Sequence, residues 1–531
     1  MADLPPESDA GRDHQAAFRG VARSGIANLI GAAYGAAANL VLLILIARSM
    51  STYDAGVVFA TTSLFVLVEA AARLGVDVSI VHFLAGARAR NRDADVVRYL
   101  RTGLIPVVVA GAVAALVLVL AAPAILEAVL QQASVPHGRA LLVALAAGIP
   151  VAAAYDVVVG GTRGLGVVRP TVVLERILRP TLQVVFVATA LALGGGALAV
   201  VSAWVVPYVV VAALSGLWLR RLLQDGTSQL ARKATAESAG FWSFTLPRGL
   251  ASIAQIALQR LDILLVAGIR GAAAAAVYTA ATRFVVAGQL GNQAISYAVQ
   301  PRLAGLVAVR DFDAGRRLFR LSTVWLVALT WPLFLVVAVA APLILDFLGP
   351  AYGSGRTAMV LLAGAMLVGS ASGLVDIVLI TLGKTRWNLA DTTATLTINV
   401  TLNLILIPRL GITGAALAWA VSIVAANVIS LVQVGRGFRF SPFSWLSALV
   451  AASAGVCFGA LPAAAAGAFG LTATVVVASV GAGSALYLAV LYRLRRDLHL
   501  DLVLRRQPQD GSDAAAPAVQ GREDALAGDE V

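Results

Sequence analysis

The sequence predicts an all-α integral membrane protein of about fourteen transmembrane helices, and three observations predict it. Of its 531 residues, 59% are hydrophobic and 13% are charged, whereas soluble domains carry roughly 25% charged residues. Mean hydropathy is +0.86. Apolar runs of about 20 residues, enough to cross ~30 Å of hydrocarbon at about 1.5 Å per residue, recur from Gly25 almost to the C-terminus. A β-barrel would show alternating segments of about ten residues instead, so these runs are helices.

The runs fall near 25–47, 55–75, 102–122, 139–161, 172–193, 197–219, 243–268, 272–298, 321–345, 357–382, 388–407, 411–434, 443–467 and 470–492. The leader MADLPPESDAGRDHQAAFRG has mixed charge and no apolar stretch, so it does not read as a cleaved signal peptide, and the first helix directs insertion. Arginine sets the orientation. With residue 1 inside, the inner connections hold Arg88, Arg90, Arg92, Arg98 and Arg101, then Arg220, Arg221, Arg232 and Lys233, then Arg302, Arg310, Arg316, Arg317 and Arg320. Lys384, Arg386, Arg436, Arg439, Arg493, Arg495 and Arg496 continue the series, whereas each outer connection has about one cation or none. The positive-inside rule then places both termini in the cytoplasm, and the net charge of +12 is a topology signal with no nucleic-acid partner implied.

The expected organisation is a cytoplasmic N-terminal segment (1–24), a first six-helix lobe (25–220), a cytoplasmic linker (221–242), a second six-helix lobe (243–435), two further helices (436–496) and a cytoplasmic disordered tail (497–531). The lobes come from an internal repeat. AAPAILEAVL from Ala121 aligns with AAPLILDFLG from Ala340 at an offset of 219, and the same offset pairs VFATTSLFV from Val58 with VYTAATRFV from Val277. It also pairs Arg98 and Arg101 with Arg317 and Arg320, and GGALA from Gly195 with GAALA from Gly414. A shift of six helices is even, so the copies run parallel, related by an axis along the membrane normal, with a cavity between them.

Cys457 is the lone cysteine, and no Cys/His cluster offers a metal site. A phosphate-binding P-loop and a Gly-x-Ser-x-Gly elbow are both absent, so the chain reads as a non-enzyme.

The stretch NLILIPRLGITGAALAWAVS, 403–422, reads as helix 11 ending at Ile407, Pro408 stopping it, and Gly411 and Gly414 making a tight turn into helix 12. Its wording closely resembles the late hairpin of the bacterial polysaccharide flippases, the O-antigen and exopolysaccharide members of the multidrug/oligosaccharidyl-lipid/polysaccharide flippase superfamily. NLIGAAYGAAANLVLLILIARSMSTYDAGVVFATTSLF (28–65) is similar to that family's first hairpin, and LQRLDILLVAGIRGAAAAAVYTAATRFV (258–285) to its seventh and eighth helices. The resemblance covers residues 25 to about 435. It implies two six-helix lobes forming a V that alternates between inward-open and outward-open, two extra helices, and an undecaprenyl-linked sugar as cargo.

Ionisable side chains at bilayer depth face a bundle interior or a wet cavity, because each costs at least ~2.5 kcal/mol in lipid. Glu69, Arg73 and Asp77, spaced by four, share one face of helix 2; the offset carries them to Gly288, Asn292 and Ser296, on a polar face of helix 8 with Gln289, Gln293 and Gln300. Asp391, Thr395, Asn399 and Asn403 form a stripe on helix 11, drifting ~40° per step. Its amides suit sugar hydroxyls, and Asp391 suits a coupling ion; interhelical hydrogen bonding is the alternative use. Arg248, Arg260 and Arg283 have no basic counterpart in the first copy. A pyrophosphate needs a cationic partner to leave water, and Arg283, near mid-membrane, fits that role, with an ion pair to Asp262 as the alternative. Arg248 sits where it can snorkel, Arg260 reads as structural, and Glu175, Arg176 and Arg179 as an interfacial cluster.

The expected substrate cavity is therefore Arg73, Arg283, Arg248, Asn292, Gln293, Asn399 and Asn403, with Asp391, Glu69 and Asp77 for ion coupling. The expected activity is translocation of a polyprenyl-pyrophosphate-linked oligosaccharide across the cytoplasmic membrane, with no cofactor beyond a proton or sodium gradient. Membrane lipid, a polysaccharide polymerase and glycosyltransferases are the expected partners. Lipid II flipping, cation-coupled drug export and, in another class, membrane glycosyltransfer or polymerisation are the competing readings.

Overall fold

The computed structural model describes residues 8–90, 92–130, 137–224, 238–382, 385–438 and 440–498. Among the described residues every regular element is helical. The long helices, numbered 1 to 14, are Asn28–Ser49, Thr52–Ala89, Asp95–Leu120, Gly138–Gly164, 171–192, Ala197–Gln224, Gly240–Arg270, 272–308, Phe312–Leu348, Pro350–Ala371, Leu389–Leu410, Ile412–Arg436, Trp445–Phe469 and Ala473–Arg493. Among the described residues twelve are long and apolar enough to cross a membrane; helices 5 and 8, each built of two segments and carrying arginines, fall short of that standard. Helix 1 begins before its apolar part, in one continuous helix Ser8–Ser49. The basic linker around Arg232 and Lys233, the Lys384 turn and the tail expected to be disordered lie outside the described residues. Large apolar side chains such as Ile105, Leu116 and Leu120 on helix 3 stay exposed, as a lipid-facing surface requires.

The duplication is one of packing. In the first lobe helix 1 packs on helix 5, helices 2 and 3 on helix 4, and helices 4 and 5 on helix 6. Adding six to each number gives the pairs of the second lobe: 7 on 11, 8 and 9 on 10, 10 and 11 on 12. Helices 13 and 14 stand apart on helix 9, tied by Tyr487 Oη donating to the Ala328 carbonyl at 3.1 Å and Trp325 Nε1 donating to that of Leu498 at 3.1 Å.

The lobes meet where helix 2 lies against helices 7 and 8, and they touch at both ends. At the end of the 49–52 turn, Gly56 lies against the backbone of Ala272, where a β-carbon would not fit. Arg48 there donates to the Phe347 carbonyl at 2.7 Å, with its guanidinium 4.7 Å from the Phe347 ring centre. At the opposite end Gly75 meets Gly249, where a β-carbon on Gly75 would overlap the Gly249 backbone. Phe83 and Tyr99 of the first lobe close on Phe241 of the second with ring centres 5.0 and 6.0 Å away, and His82 stacks on Phe244 at 4.9 Å.

Two expectations need correction. Pro408 does not stop helix 11, which runs to Leu410. Proline forfeits only one ladder bond near a helix end, and its fixed φ suits the helix, so the chain turns instead at Gly411, in the left-handed region at φ 60°. Helix 2 is not one straight rod carrying Glu69, Arg73 and Asp77. It breaks at Leu74 and Gly75, with φ of 55° and 80°, and Asp77 opens the following segment Val76–Ala89.

Candidate functional site

A cavity of about 450 Å³ lies between the lobes, walled by helices 1, 2, 5, 6, 7 and 8. Four arginines line it, two from each lobe: Arg176 and Arg179 on helix 5, Arg260 on helix 7 and Arg283 on helix 8. One carboxylate, Glu175, shares the wall, and the uncharged polar lining is amide-rich, with Asn39, Gln259, Gln289 and Gln293.

Helix 5 reaches the cavity because of its irregular start. Residues Thr171–Leu178 form a π-helix, Pro180 cannot donate to the Arg176 carbonyl, and that carbonyl faces helix 1 at Gly35, 3.2 Å from where a β-carbon would lie. Gly31 likewise sits against the Arg176 side chain. Small residues on helix 1 thus admit the widened turn. Arg176 is 3.8 Å from Glu175, and Arg179 donates to Tyr208 Oη at 3.2 Å, with its guanidinium 5.1 Å from that ring's centre.

The second-lobe arginines differ. Among the described residues neither Arg260 nor Arg283 makes a hydrogen bond or an ion pair. Asp262, the carboxylate expected as an alternative partner of Arg283, is buried and committed elsewhere: it accepts from Tyr278 Oη at 2.6 Å and from the Ile263 N–H at 2.8 Å. Each guanidinium has five donors and no acceptor. Two such groups facing one cavity make a site for an anion, and the fork of each matches two oxygens of a phosphate.

Beside this cavity the first lobe holds a cage of charge. Arg73 lies 3.1 Å from Glu69, 3.2 Å from Asp77 and 3.0 Å from Asp156 of helix 4. In the second lobe, Asp391 is buried and accepts from Gln433 Nε2 at 2.7 Å and from Ser430 at 3.3 Å, while Asn403 donates to the Asn399 side-chain oxygen at 3.0 Å.

Of the residues expected to form the substrate cavity or to couple an ion, Arg283 and Gln293 line the cavity. Arg73, Glu69 and Asp77 come together in the cage next to it. Arg248 lies near the Gly75–Gly249 contact, 5.1 Å over the Phe244 ring; Asn292 is exposed; Asn399 and Asn403 are buried on helix 11, and Asp391 is buried where helix 11 meets Ser430 and Gln433 of helix 12. The sequence reading missed Asp156, Tyr208 and the cavity positions of Arg176, Arg179 and Arg260. Asp156 was detectable, since it is an acid inside the run VAAAYDVVVG.

Residues 21–307 match the family described as polysaccharide biosynthesis protein. No curated protein matches the chain by sequence. Among solved structures, the chain is similar to the lipid II flippase MurJ in its inward closed conformation, with TM-score 0.68 and 12% identity over 90% of this chain and 99% of that one. It is also similar to a multidrug resistance MATE family transporter in an inward-facing conformation (TM-score 0.63, 15% identity, 76% of this chain and 94% of that one). A MOP superfamily transporter from Pyrococcus furiosus gives 0.56 at 17% identity, over 79% and 95%. The resemblance read from the hairpins is borne out in family and in fold. The chain is a multi-pass, all-helical member of the polysaccharide biosynthesis protein family, with the fold of the MOP superfamily transporters.

Proposed function

We propose that the protein is a flippase that carries a polyprenyl-pyrophosphate-linked oligosaccharide across the cytoplasmic membrane by alternating access, with both termini inside. The observation that carries this reading is the pair Arg260 and Arg283, which face the interlobe cavity with no hydrogen bond or ion pair among the described residues. Left alone in a low-dielectric bundle such charges are costly; an anion that fills the cavity resolves the cost and is itself drawn out of water. A pyrophosphate offers two anionic centres, and the cavity offers an arginine pair from each lobe to hold them. The amides of Asn39, Gln259, Gln289 and Gln293 are suited to the first sugar hydroxyls. The lipid tail stays in the bilayer.

Alternating access follows from the contacts at the two ends. Opening the cavity to one side requires breaking only one set: Gly75 with Gly249 and the His82, Phe83, Tyr99, Phe241 and Phe244 rings on the inner side, or Gly56 with Ala272 and Arg48 with Phe347 on the outer side. An anion bridging arginines of both lobes stabilises the state in which both sets are closed, and differential binding of that kind is what shifts such an equilibrium.

A cationic drug is a poor cargo for a wall with four arginines and one glutamate. Lipid II shares the polyprenyl pyrophosphate and is the one competing cargo that the site accommodates; the fold likeness to MurJ favours keeping it as a second reading. The experiment that separates them is a deletion strain. Loss of the protein should cause a polyprenyl-linked repeat unit to accumulate in the inner leaflet with cell-wall synthesis intact. Accumulation of lipid II would assign the second reading, and accumulation of neither lipid would refute the proposal.

A further inference from the structure

The Arg73 cage has more carboxylate than it can neutralise. Glu69, Asp77 and Asp156 all lie within 3.2 Å of one guanidinium, and Glu69 is 94% buried by the complement of its 6% exposure. A metal cation does not fit there, because the guanidinium already occupies the point on which the three carboxylates converge. No group of His, Cys, Asp and Glu among the described residues has the arrangement of a metal site either.

The groups facing the cage are Tyr155 on helix 4, Glu175 and Arg179 on helix 5 and Tyr208 on helix 6. Helix 3 carries Asp95, Arg98 and Arg101 in its first turns, and helices 7 and 8 carry Arg248, Arg260, Asp262 and Arg283 across the lobe boundary. Arg179 is the link: it lines the cavity, donates to Tyr208, and its charge reaches both Glu69 and Asp156. A second observation points the same way. Tyr155, 1% exposed, has a hydroxyl with no hydrogen-bond partner among the described residues, set among Arg179, Glu175 and Asp156. A protonated carboxyl brings a donor that an ionised one lacks, and a buried hydroxyl oxygen can receive it.

We propose that the cage of Glu69, Asp77 and Asp156 around Arg73 is a proton-binding site, and that it takes up a proton when an anion occupies Arg179 and the neighbouring cavity arginines. The reason is Coulombic: an anion on Arg179 cancels the positive charge on which the cage relies and adds negative charge beside it, in surroundings that screen weakly. The proton comes from water and adds to a carboxylate oxygen. By reciprocity the proton favours the anion equally, so anion affinity weakens by up to about tenfold per pH unit across the range where one proton is taken up. The cage also adjoins the break at Leu74 and Gly75, where helix 2 meets helix 7, so its charge state bears on closure at that end.

This inference rests on the pyrophosphate reading of the cavity, and one experiment separates the two. The purified full chain in lipid nanodiscs is titrated with farnesyl pyrophosphate by calorimetry in two buffers of different ionisation enthalpy, for wild type, Glu69→Gln, Asp156→Asn and Asp77→Asn. Binding with about one proton taken up in wild type, and at least half of that uptake lost in Glu69→Gln or Asp156→Asn with binding retained, is the expected result. Binding without uptake, binding with proton release, or equal uptake in all three variants would overturn the cage as the site while leaving the cavity reading intact. No binding by wild type would overturn both. If one variant does not purify as a folded protein, the others and the wild-type pH dependence of affinity decide the matter.

Discussion

Arg73 and Arg283 are both arginines on helices that the internal repeat superimposes, yet they live in opposite conditions. Arg73 of the first lobe touches three carboxylates within 3.2 Å. Arg283 of the second lobe touches none among the described residues, and the nearby acid, Asp262, is bonded to Tyr278. Duplication supplied the same frame twice, and the charges were then placed differently: the first lobe pairs its guanidiniums within the protein, and the second presents two to the cavity with no hydrogen bond or ion pair among the described residues. A satisfied charge supports structure or takes part in coupling, whereas an unsatisfied one at bilayer depth is explained by what it binds.

The largest effect should come from breaking the satisfied side. Arg73→Ala leaves Glu69, Asp77 and Asp156 without their common partner, and removing one member of a buried pair costs about 3–5 kcal/mol, so membrane abundance and thermal stability should both fall sharply. Arg73→Lys should recover part of the loss. If Arg73→Ala is as stable as wild type, the cage is not a structural element and the contrast fails.

Next in size is the unsatisfied side. Arg283→Gln should reduce transport by at least about a hundredfold, to the level of protein-free vesicles, through the loss of two charge-assisted hydrogen bonds, with abundance unchanged. Arg283→Lys keeps the charge without the fork and should fall between. The double change Arg283→Ala with Asp262→Ala sharpens this further. Because Asp262 is held by Tyr278 and not by Arg283, removing it should not restore transport; restoration would show that Arg283 serves an ion pair.

Gly75→Ala tests how the two lobes meet. Its left-handed φ of 80° and its contact with the Gly249 backbone leave no room for a β-carbon, so closure at that end should weaken by roughly 1–2 kcal/mol. A cysteine replacing the buried Thr245 at the same contact should then react with a maleimide several times faster than in the unmodified background. Equal reaction rates would mean that the contact does not hold that end shut. The smallest effect on transport belongs to Tyr278→Phe, which removes one donor from Asp262 and should cost about 1–3 kcal/mol of stability. It should leave substrate selectivity alone.

The fold was legible because lipid imposes a simple code: helix-length apolar runs, arginine concentrated in every second connection, and a repeat that keeps its register through both lobes. The site was legible only in part. Arg283 and Gln293 could be picked out because a charge or amide deep in an apolar run is costly on its own. Asp156 was missed since its partner Arg73 is 83 positions away, and no local spacing announces such a pair. Arg176 and Arg179 read as interfacial because they stand near the start of a run; the π-helical turn and Pro180, whose consequences depend on Gly31 and Gly35 of helix 1, bring them to the cavity. Pro408 misled for the opposite reason, since a proline one turn from a helix end forfeits too little to end it.

The most direct test of the central claim is a reconstituted flipping assay. Purified protein in proteoliposomes is supplied with a fluorescent polyprenyl-pyrophosphate-linked sugar in one leaflet, and appearance of the headgroup in the other leaflet is followed by its accessibility to a membrane-impermeant quencher. Wild-type protein should move the lipid, Arg283→Lys should move it slowly, and Arg283→Gln should not exceed protein-free vesicles, while a polyprenol-linked sugar lacking the pyrophosphate should not move at all. Transport of the phosphate-free lipid at the same rate, or full activity in Arg283→Gln, would contradict an arginine cavity built to carry a pyrophosphate.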